Sequence, residues 1–301
     1  MRFDVYTPLL VSVLLPLVSP VIGRRVAPAL AARVLASAAV LTAAAATWSL
    51  VLLTTALLGD APPVIREAHQ DGRPLADPVP EVIGVAACVA LAVVVRRVRR
   101  AVRAERRTRR TLRRLCEGHP RDTELVVAAS EVPQAFAIPG RPGRILVTSA
   151  MLGALAPAER RVLLAHERAH LRHRHGHLVT AVTLAAAANP LLGPVRSAVI
   201  FLVERWADEQ AATEVGDRGT TARALARAAL SAGRAARPAC ALNFTDRAVT
   251  RRIAALQTTP PPQLWPAAAA VLALGALAAL AALFAADATG DLVRLLSDAL
   301  T

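Results

Sequence analysis

Cysteine and aromatic residues are both scarce in this chain. The three cysteines, Cys88, Cys116 and Cys240, are far apart and form no CxxC pair. Disulfide frameworks and thiolate zinc sites need paired or closely spaced cysteines, so we expect neither. Aromatic residues make up 3% of the chain, and none is interleaved with its clustered arginines. Because surfaces that bind single-stranded nucleic acid combine basic with stacking aromatic side chains, we expect no nucleic-acid partner.

Lysine is absent, and the net charge of +14 comes from arginine. Eleven arginines lie between residues 96 and 114, with Glu105 as the acid among them. A basic block directly after an apolar run is typical of the cytoplasmic side of a membrane span. We therefore expect this segment to lie along anionic lipid headgroups. A basic module that acts only at the membrane surface is an alternative.

Long apolar runs predict membrane spans, which need about 20 apolar residues. They lie at about 5–22, 34–58, 79–96 and 264–286. The first run could be a signal peptide, but its positive charges, Arg24 and Arg25, follow the apolar core, whereas a signal peptide carries them before it. The third run is short and reaches spanning length only with help from flanking residues. We interpret all four as transmembrane helices.

Charge in the connecting loops predicts the topology. The charged residues between the first two spans are all arginines, whereas the loop at 59–81 has more acidic residues than arginines. Loops rich in arginine stay in the cytoplasm. We expect both chain termini, including the short tail 287–301, to lie outside, and residues 98–263 to form a cytoplasmic domain between spans three and four. Residues 1–97 then hold the first three spans.

Short β-prone runs in this domain predict a small α+β fold. One run is 124–128, and two others, 134–138 and 144–148, flank the turn-forming sequence at 139–143. The pair predicts a hairpin with a five-residue loop. A long helical run begins at Pro157, where proline and Glu159 suit a first turn.

That helical run carries the sequence HERAH, an HExxH motif formed by His166, Glu167 and His170. Positions four apart lie above one another on a helix, so both imidazoles point the same way and suit one zinc ion. Glu167 then lies beside the metal, where it can accept a proton from the attacking water. The alternative is a solvated, charged helix that happens to carry two histidines.

Zinc needs a third protein ligand, and a second helical run offers Glu204. Asp208, four residues later, is placed to hydrogen-bond a ligand imidazole and fix its tautomer. Three further histidines, His173, His175 and His177, follow the motif. If the helix continues, two of them fall near the ligand face as alternative ligands or a second metal site, but we interpret them as surface or packing residues. We expect residues 178–203 to form a buried or membrane-dipping hairpin that returns Glu204 to the metal; a pair of true spans is the alternative.

The order of these features resembles the BlaR/MecR-type membrane metallopeptidases. The shared pattern is three spans, a basic segment, the AFA and ILVT hairpin, HERAH, the sequence ERWADE, the sequence RIAAL and a fourth span. The chain is also similar to the HtpX-type and CAAX-prenyl-protease-type gluzincins. This resemblance implies a mostly α membrane protein with four transmembrane helices and a small α+β zincin (gluzincin) domain inserted between the third and fourth.

The resemblance also implies site roles and a departure. It makes His166, His170 and Glu204 ligands of one zinc per chain, Glu167 the catalytic base and Asp208 a residue that supports them. It makes the strand at Ala135, Phe136 and Ala137 the edge that pairs with an extended substrate. Antibiotic-sensing members carry a penicillin-binding domain after the fourth span, whereas a short tail follows it here, so we expect no β-lactam binding.

These features predict an integral-membrane, zinc-dependent endopeptidase that hydrolyses a protein or peptide substrate. Candidate substrates are a winged-helix repressor or a membrane protein cleaved in regulated proteolysis. Arg251 or Arg252 is a candidate oxyanion helper. The alternative from another class is a non-catalytic membrane sensor or scaffold that keeps zinc for structure. An intact Glu167 argues against it, because a structural zinc site has no use for a base.

Overall fold

The fold is mostly helical with one small sheet. The computed structural model describes residues 7–59, 81–118, 120, 123–140, 142–234, 246–259 and 264–287. The strands are β1 (Leu125–Ala128), β2 (Ala135–Ile138) and β3 (Arg144–Thr148). The helices are α1 (Thr7–Arg25), α2 (Pro28–Gly59), α3 (Glu81–Leu115), α4 (Ser149–Ala154), α5 (Pro157–Arg172), α6 (His175–Ala188), α7 (Gly193–Val215), α8 (Arg218–Arg234), α9 (Asp246–Leu256) and α10 (Trp265–Asp287).

The sheet has the order β1-β3-β2, with β3 in the centre. β1 pairs parallel to β3, whereas β2 and β3 form the predicted antiparallel hairpin, with Phe136 opposite Leu146. Alternate side chains of β3 pack into two small hydrophobic cores on opposite faces of the sheet. Ile145 and Val147 pack towards α4 and α5, and Leu146 packs towards the end of α3. The hairpin therefore lies directly on the helix that carries HExxH.

The largest hydrophobic core joins α1, α2, α6, α7 and α10. Helices α6 and α7 form the hairpin expected at 178–203, with a short 3-10 turn at Pro190–Leu192 between them. Asn189 holds that turn, because its side chain accepts from the Leu191 N–H and donates to the Ser12 hydroxyl of α1 at 2.6 Å. The core thus fixes where α7 begins, and α7 carries Glu204.

Helix α3 runs without a break through the arginine block. The boundary expected at residue 97 falls inside this helix. Its C-terminal half packs on α6, where Arg97 donates to the Ala187 carbonyl at 3.0 Å and Arg109 to the Thr180 hydroxyl at 3.0 Å. Arginine is a good helix former, and this favours a continuous helix.

Within the described residues, one stretch, Pro28–Thr55, is long and apolar enough to cross a membrane by length and composition. The other expected spans coincide with helices α1, α3 and α10, apart from residues 5–6 and 79–80, which lie outside the described residues. The loop at 60–80 and the tail after 287 also lie outside them. Four transmembrane helices therefore stay a prediction.

Candidate metal centre and active site

The two histidines of HExxH meet a glutamate from the second helix. The ligand atoms of His166, His170 and Glu204 all lie within 4.8 Å of one another. The two Nε2 atoms are 3.1 Å apart. The Glu204 oxygens lie 3.5 Å from His166 Nε2 and 3.6 Å from His170 Nε2. The structure thus brings together the three residues that the motif spacing selected.

These separations fit a tetrahedral zinc site. Zinc binds nitrogen and oxygen at about 2.0–2.1 Å, so neighbouring ligand atoms of a tetrahedron lie roughly 3.3 Å apart. The three observed separations lie on either side of that value. Two imidazoles and one carboxylate are also the donor set of zinc hydrolases that keep a fourth position open.

His166 is oriented by Asp208, one turn after Glu204 on α7. The Asp208 carboxylate lies 3.1 Å from His166 Nδ1, which leaves Nε2 directed at the metal position. Burial alone lowers the pKa of His166, but hydrogen bonds to Asp208 and Glu204 outweigh it and raise that pKa to about 10. The site therefore favours positive charge between these side chains.

Arg252 on α9 binds both carboxylates. Its Nε and Nη2 each donate to Asp208 at 2.7 Å, and its Nη1 lies 3.2 Å from Glu204. Burial opposes ionisation of both acids, yet the arginine holds the pKa of Asp208 and Glu204 below their usual range. Arg252 is 3% exposed, and these contacts fit a residue that positions the ligands better than the oxyanion helper suggested by sequence.

His170 is held by a residue that sequence analysis interpreted as packing. His175 places its Nδ1 3.0 Å from His170 Nδ1, so His170 also keeps Nε2 for the metal. Burial lowers the pKa of both imidazoles, to about 4 for His170 and about 3 for His175, and both are neutral at pH 7. His175 is 1% exposed and packs 4.5 Å from the Trp206 ring centroid.

The turn before α6 explains why the contact of His175 with His170 could not be predicted from the sequence. Helix α5 ends at Arg172, and Arg174 adopts a left-handed conformation with φ of 52°. Such a conformation is unfavourable for a residue other than glycine and often marks a functional site. It turns the chain so that His175 starts a new helix beside His170. The helix does not continue past Arg172, so the alternative in which His173 and His177 fall near the ligand face does not apply.

The remaining candidates lie around the site. His173 approaches Gln210 at 3.3 Å and packs against Trp206, so it is not part of the ligand group. His177 is exposed. Arg251 places its guanidinium 4.4 Å from the ring centroid of Phe201. None of these three contributes to the metal group found among the described residues.

Glu167 lies beside the ligand set without belonging to it. Burial raises its pKa to about 7, and a hydrogen bond from the backbone N–H of Ala137 works against that rise. The residue is 9% exposed. A base works best when its pKa lies near the operating pH. Glu167 thus lies where a general base is needed, next to the ligand group and the β2 edge.

The β2 strand presents its open edge to this base. In an antiparallel pair, hydrogen-bonded and non-bonded residue pairs alternate. Thr148 N–H donates to the Gln134 carbonyl. The backbone groups of Phe136, two residues later, therefore also point towards β3, whereas the backbone N–H and C=O groups of Ala135 and Ala137 point away from it. The contact from Ala137 to Glu167 agrees with that alternation. An extended peptide can pair with these outward groups.

A motif of two histidines on one helix, completed by a glutamate from another, points to the class of zinc metallopeptidases. The model for Peptidase family M48 matches residues 100–201, about a third of the chain. This match supports an M48 family metallopeptidase and does not single out the BlaR/MecR type. It ends before Glu204, so the third ligand is assigned on geometry. No curated protein and no solved structure matches the chain.

Proposed function

We propose that this chain is a zinc-dependent endopeptidase that cleaves an extended segment of a protein substrate. The observation that carries the proposal is that the candidate metal ligands and the candidate base are different, neighbouring side chains. His166, His170 and Glu204 converge on one point, while the buried carboxylate of Glu167 lies next to them and contacts the open β2 edge. The family match supports the same activity.

The chain's own groups account for the steps of hydrolysis. Zinc, when bound by His166, His170 and Glu204, supplies a Lewis acid that polarises the scissile carbonyl and acidifies water. Glu167 accepts the proton of the attacking water and delivers it to the leaving amine. The outward N–H and C=O groups of Ala135 and the outward C=O of Ala137 hold the substrate backbone extended, while the Ala137 N–H donates to Glu167. Asp208 and His175 fix the ligand imidazoles, so little reorganisation is needed.

The second candidate function is a membrane sensor or scaffold with a structural zinc. Structural zinc sites are closed by four protein ligands. The described residues provide three around this point, and the next acid, Glu167, is buried with a pKa raised to about 7. Both observations favour catalysis over the structural alternative.

Metal analysis tests the ligand assignment. Protein purified in detergent should contain one zinc per chain, and His166→Ala should lose it. His177→Ala is the matched control, because His177 is an exposed histidine close in sequence. Equal zinc content in wild type and His166→Ala would refute the assignment.

We also propose that the chain is a multi-pass membrane protein with a cytoplasmic peptidase domain. Support comes from Pro28–Thr55 and from apolar side chains on the surface, such as Leu17 on α1 and Val82 on α3, which are 68% and 79% exposed. Isolated soluble proteins rarely expose large apolar patches. Reporter fusions after Pro74 and Asp291 should report outside and one after Gly233 inside; an outside signal at Gly233 would overturn this topology.

The proposed substrate is a repressor or a membrane protein cut in regulated proteolysis. An extended, backbone-paired segment is the form in which the β2 edge can hold it. A winged-helix repressor encoded next to this gene, and cleaved by the purified protein, would support the first choice. Cleavage of membrane proteins alone would support the second.

A further inference from the structure

A large cavity continues from the metal centre between the peptidase elements and helices α3, α6 and α7. Its volume is about 2380 Å³, and its lining includes Glu167, Gln134 and residues 135–137 of β2. Pockets for small molecules occupy about 300–1,000 Å³. This cavity is therefore large enough for a polypeptide segment that extends beyond the residues at the scissile bond.

Basic side chains dominate the charged lining of this cavity. The acids in the lining are Glu105, Glu167, Glu204 and Asp208, and the arginines are Arg107, Arg109, Arg113, Arg174, Arg196, Arg251 and Arg252. Two of the arginines are neutralised locally. Arg252 binds Asp208 and Glu204, and Arg109 lies 2.6 Å from Glu105.

The other five arginines have no carboxylate partner within the described part of the chain. Arg196 donates to the Thr183 hydroxyl at 3.1 Å, and Arg251 stacks over Phe201. Both contacts hold the side chain at the cavity wall and leave its charge uncompensated. Arg107 and Arg113 stand on the α3 wall of the same cavity. A bound zinc would add further positive charge.

The substrate path passes these charges. Helix α3 contacts β2, and Arg107, Arg113 and the β2 residues line the same cavity, so a peptide paired with the open β2 edge enters the cavity that carries these charges. A cleft lined by one sign of charge concentrates ligands of the opposite sign. Guanidinium groups bind carboxylates in a bidentate, charge-assisted manner.

We propose that the site selects extended polypeptide segments that carry Asp or Glu near the scissile bond, with Arg107 and Arg113 as specificity-determining residues. This inference rests on the proposed peptidase function for its biological meaning, but the charge preference itself is a binding property. Measuring binding and cleavage in separate assays therefore tests the charge preference apart from the peptidase function.

The experiment uses the full chain in a neutral detergent and two fluorescent peptides of equal length, one with two Glu residues and one with Gln in their place. Binding is measured by anisotropy in the Glu167→Gln variant, which should cleave the peptides too slowly to affect the measurement, and cleavage is measured in the wild type. Partly exposed ion pairs contribute modestly, so we expect the acidic peptide to bind roughly tenfold more tightly at low salt. The preference should shrink as salt screens the charges.

Variants assign the effect to the cavity wall. In the same background, Arg107→Gln/Arg113→Gln should remove most of the preference. Arg103→Gln/Arg110→Gln is the matched control, since both residues are exposed on α3 and outside the cavity lining, and it should keep the preference. Equal loss in the two double variants would overturn the assignment.

Three further outcomes test the charge preference and the peptidase function separately. Equal binding of the Glu and Gln peptides would overturn the charge preference, whatever the wild type cleaves. A preference in binding without cleavage of either peptide by the zinc-loaded wild type would support the inference and count against the peptidase function. If phosphatidylglycerol added to the detergent abolishes the preference, the arginines are lipid contacts and the proposal is overturned.

Discussion

Replacing Arg252 alone should destabilise the protein more than replacing Arg252 and its partner Asp208 together. Arg252 is 3% exposed and donates two hydrogen bonds of 2.7 Å to Asp208. In Arg252→Met, the carboxylates of Asp208 and Glu204 both stay buried, and His166 is then the one cation left to both of them among the described contacts. Removing one member of a buried ion pair typically costs about 3–5 kcal/mol, because the other charge is left uncompensated.

The double variant Arg252→Met/Asp208→Asn should recover part of that loss. Asparagine keeps a carbonyl oxygen that can accept from His166 Nδ1, but it carries no charge to bury. Replacing both members of a buried pair is often close to neutral. We expect a coupling free energy of about 1–3 kcal/mol between the two positions.

Thermal unfolding of the metal-free protein in detergent measures the effect. A loss of this size corresponds to an apparent Tm roughly 5–8 °C lower for Arg252→Met. The double variant should unfold at a higher temperature than Arg252→Met. If the double variant instead loses as much as the two single variants combined, Arg252 does not stabilise the site through Asp208.

Three more predictions follow from single contacts. His175→Ala should raise the Kd for zinc about 10–100-fold in a competition assay with a chelator, since residues that orient metal ligands have effects of this size; His177→Ala should leave the Kd unchanged. Ala137→Pro removes the N–H that donates to Glu167 at the open β2 edge and should lower kcat/KM for extended peptides at least about tenfold, whereas Phe136→Pro should break the β2–β3 pairing and lower the Tm. Gly275→Ala should destabilise by about 1–3 kcal/mol, because its Cβ would lie 3.1 Å from the Ala38 Cα, and Gly153→Ala, with nothing within 4 Å, should not.

Local signals in the sequence predicted the parts of the fold that depend on neighbouring residues. The five-residue loop between β2 and β3 follows from its proline and glycine content, and the start of α5 follows from Pro157. The spacing of His166 and His170 follows from the helical repeat. Each of these features needs only a short window of sequence.

The missed features depend on distant residues or on an unusual backbone. The parallel pairing of β1 with β3 joins segments that are not adjacent in sequence. Arg252 meets Asp208 from 44 residues away. His175 reaches His170 only because Arg174 takes a left-handed conformation, and nothing in an arginine favours that conformation. An HExxH motif followed by a further histidine, with no glycine at the helix end, is a weak signal for such a turn.

The most direct test of the peptidase function is hydrolysis by Glu167→Gln, with zinc content measured on the same preparation. Glutamine keeps the size and polarity of the side chain but removes the basic carboxylate, and Glu167 is outside the ligand group. The variant should keep one zinc per chain and its fold, while cleavage of a casein-like or self-derived substrate should fall by about 10²–10⁴-fold. A zinc-loaded Glu167→Gln protein that cleaves at the wild-type rate would contradict the mechanism.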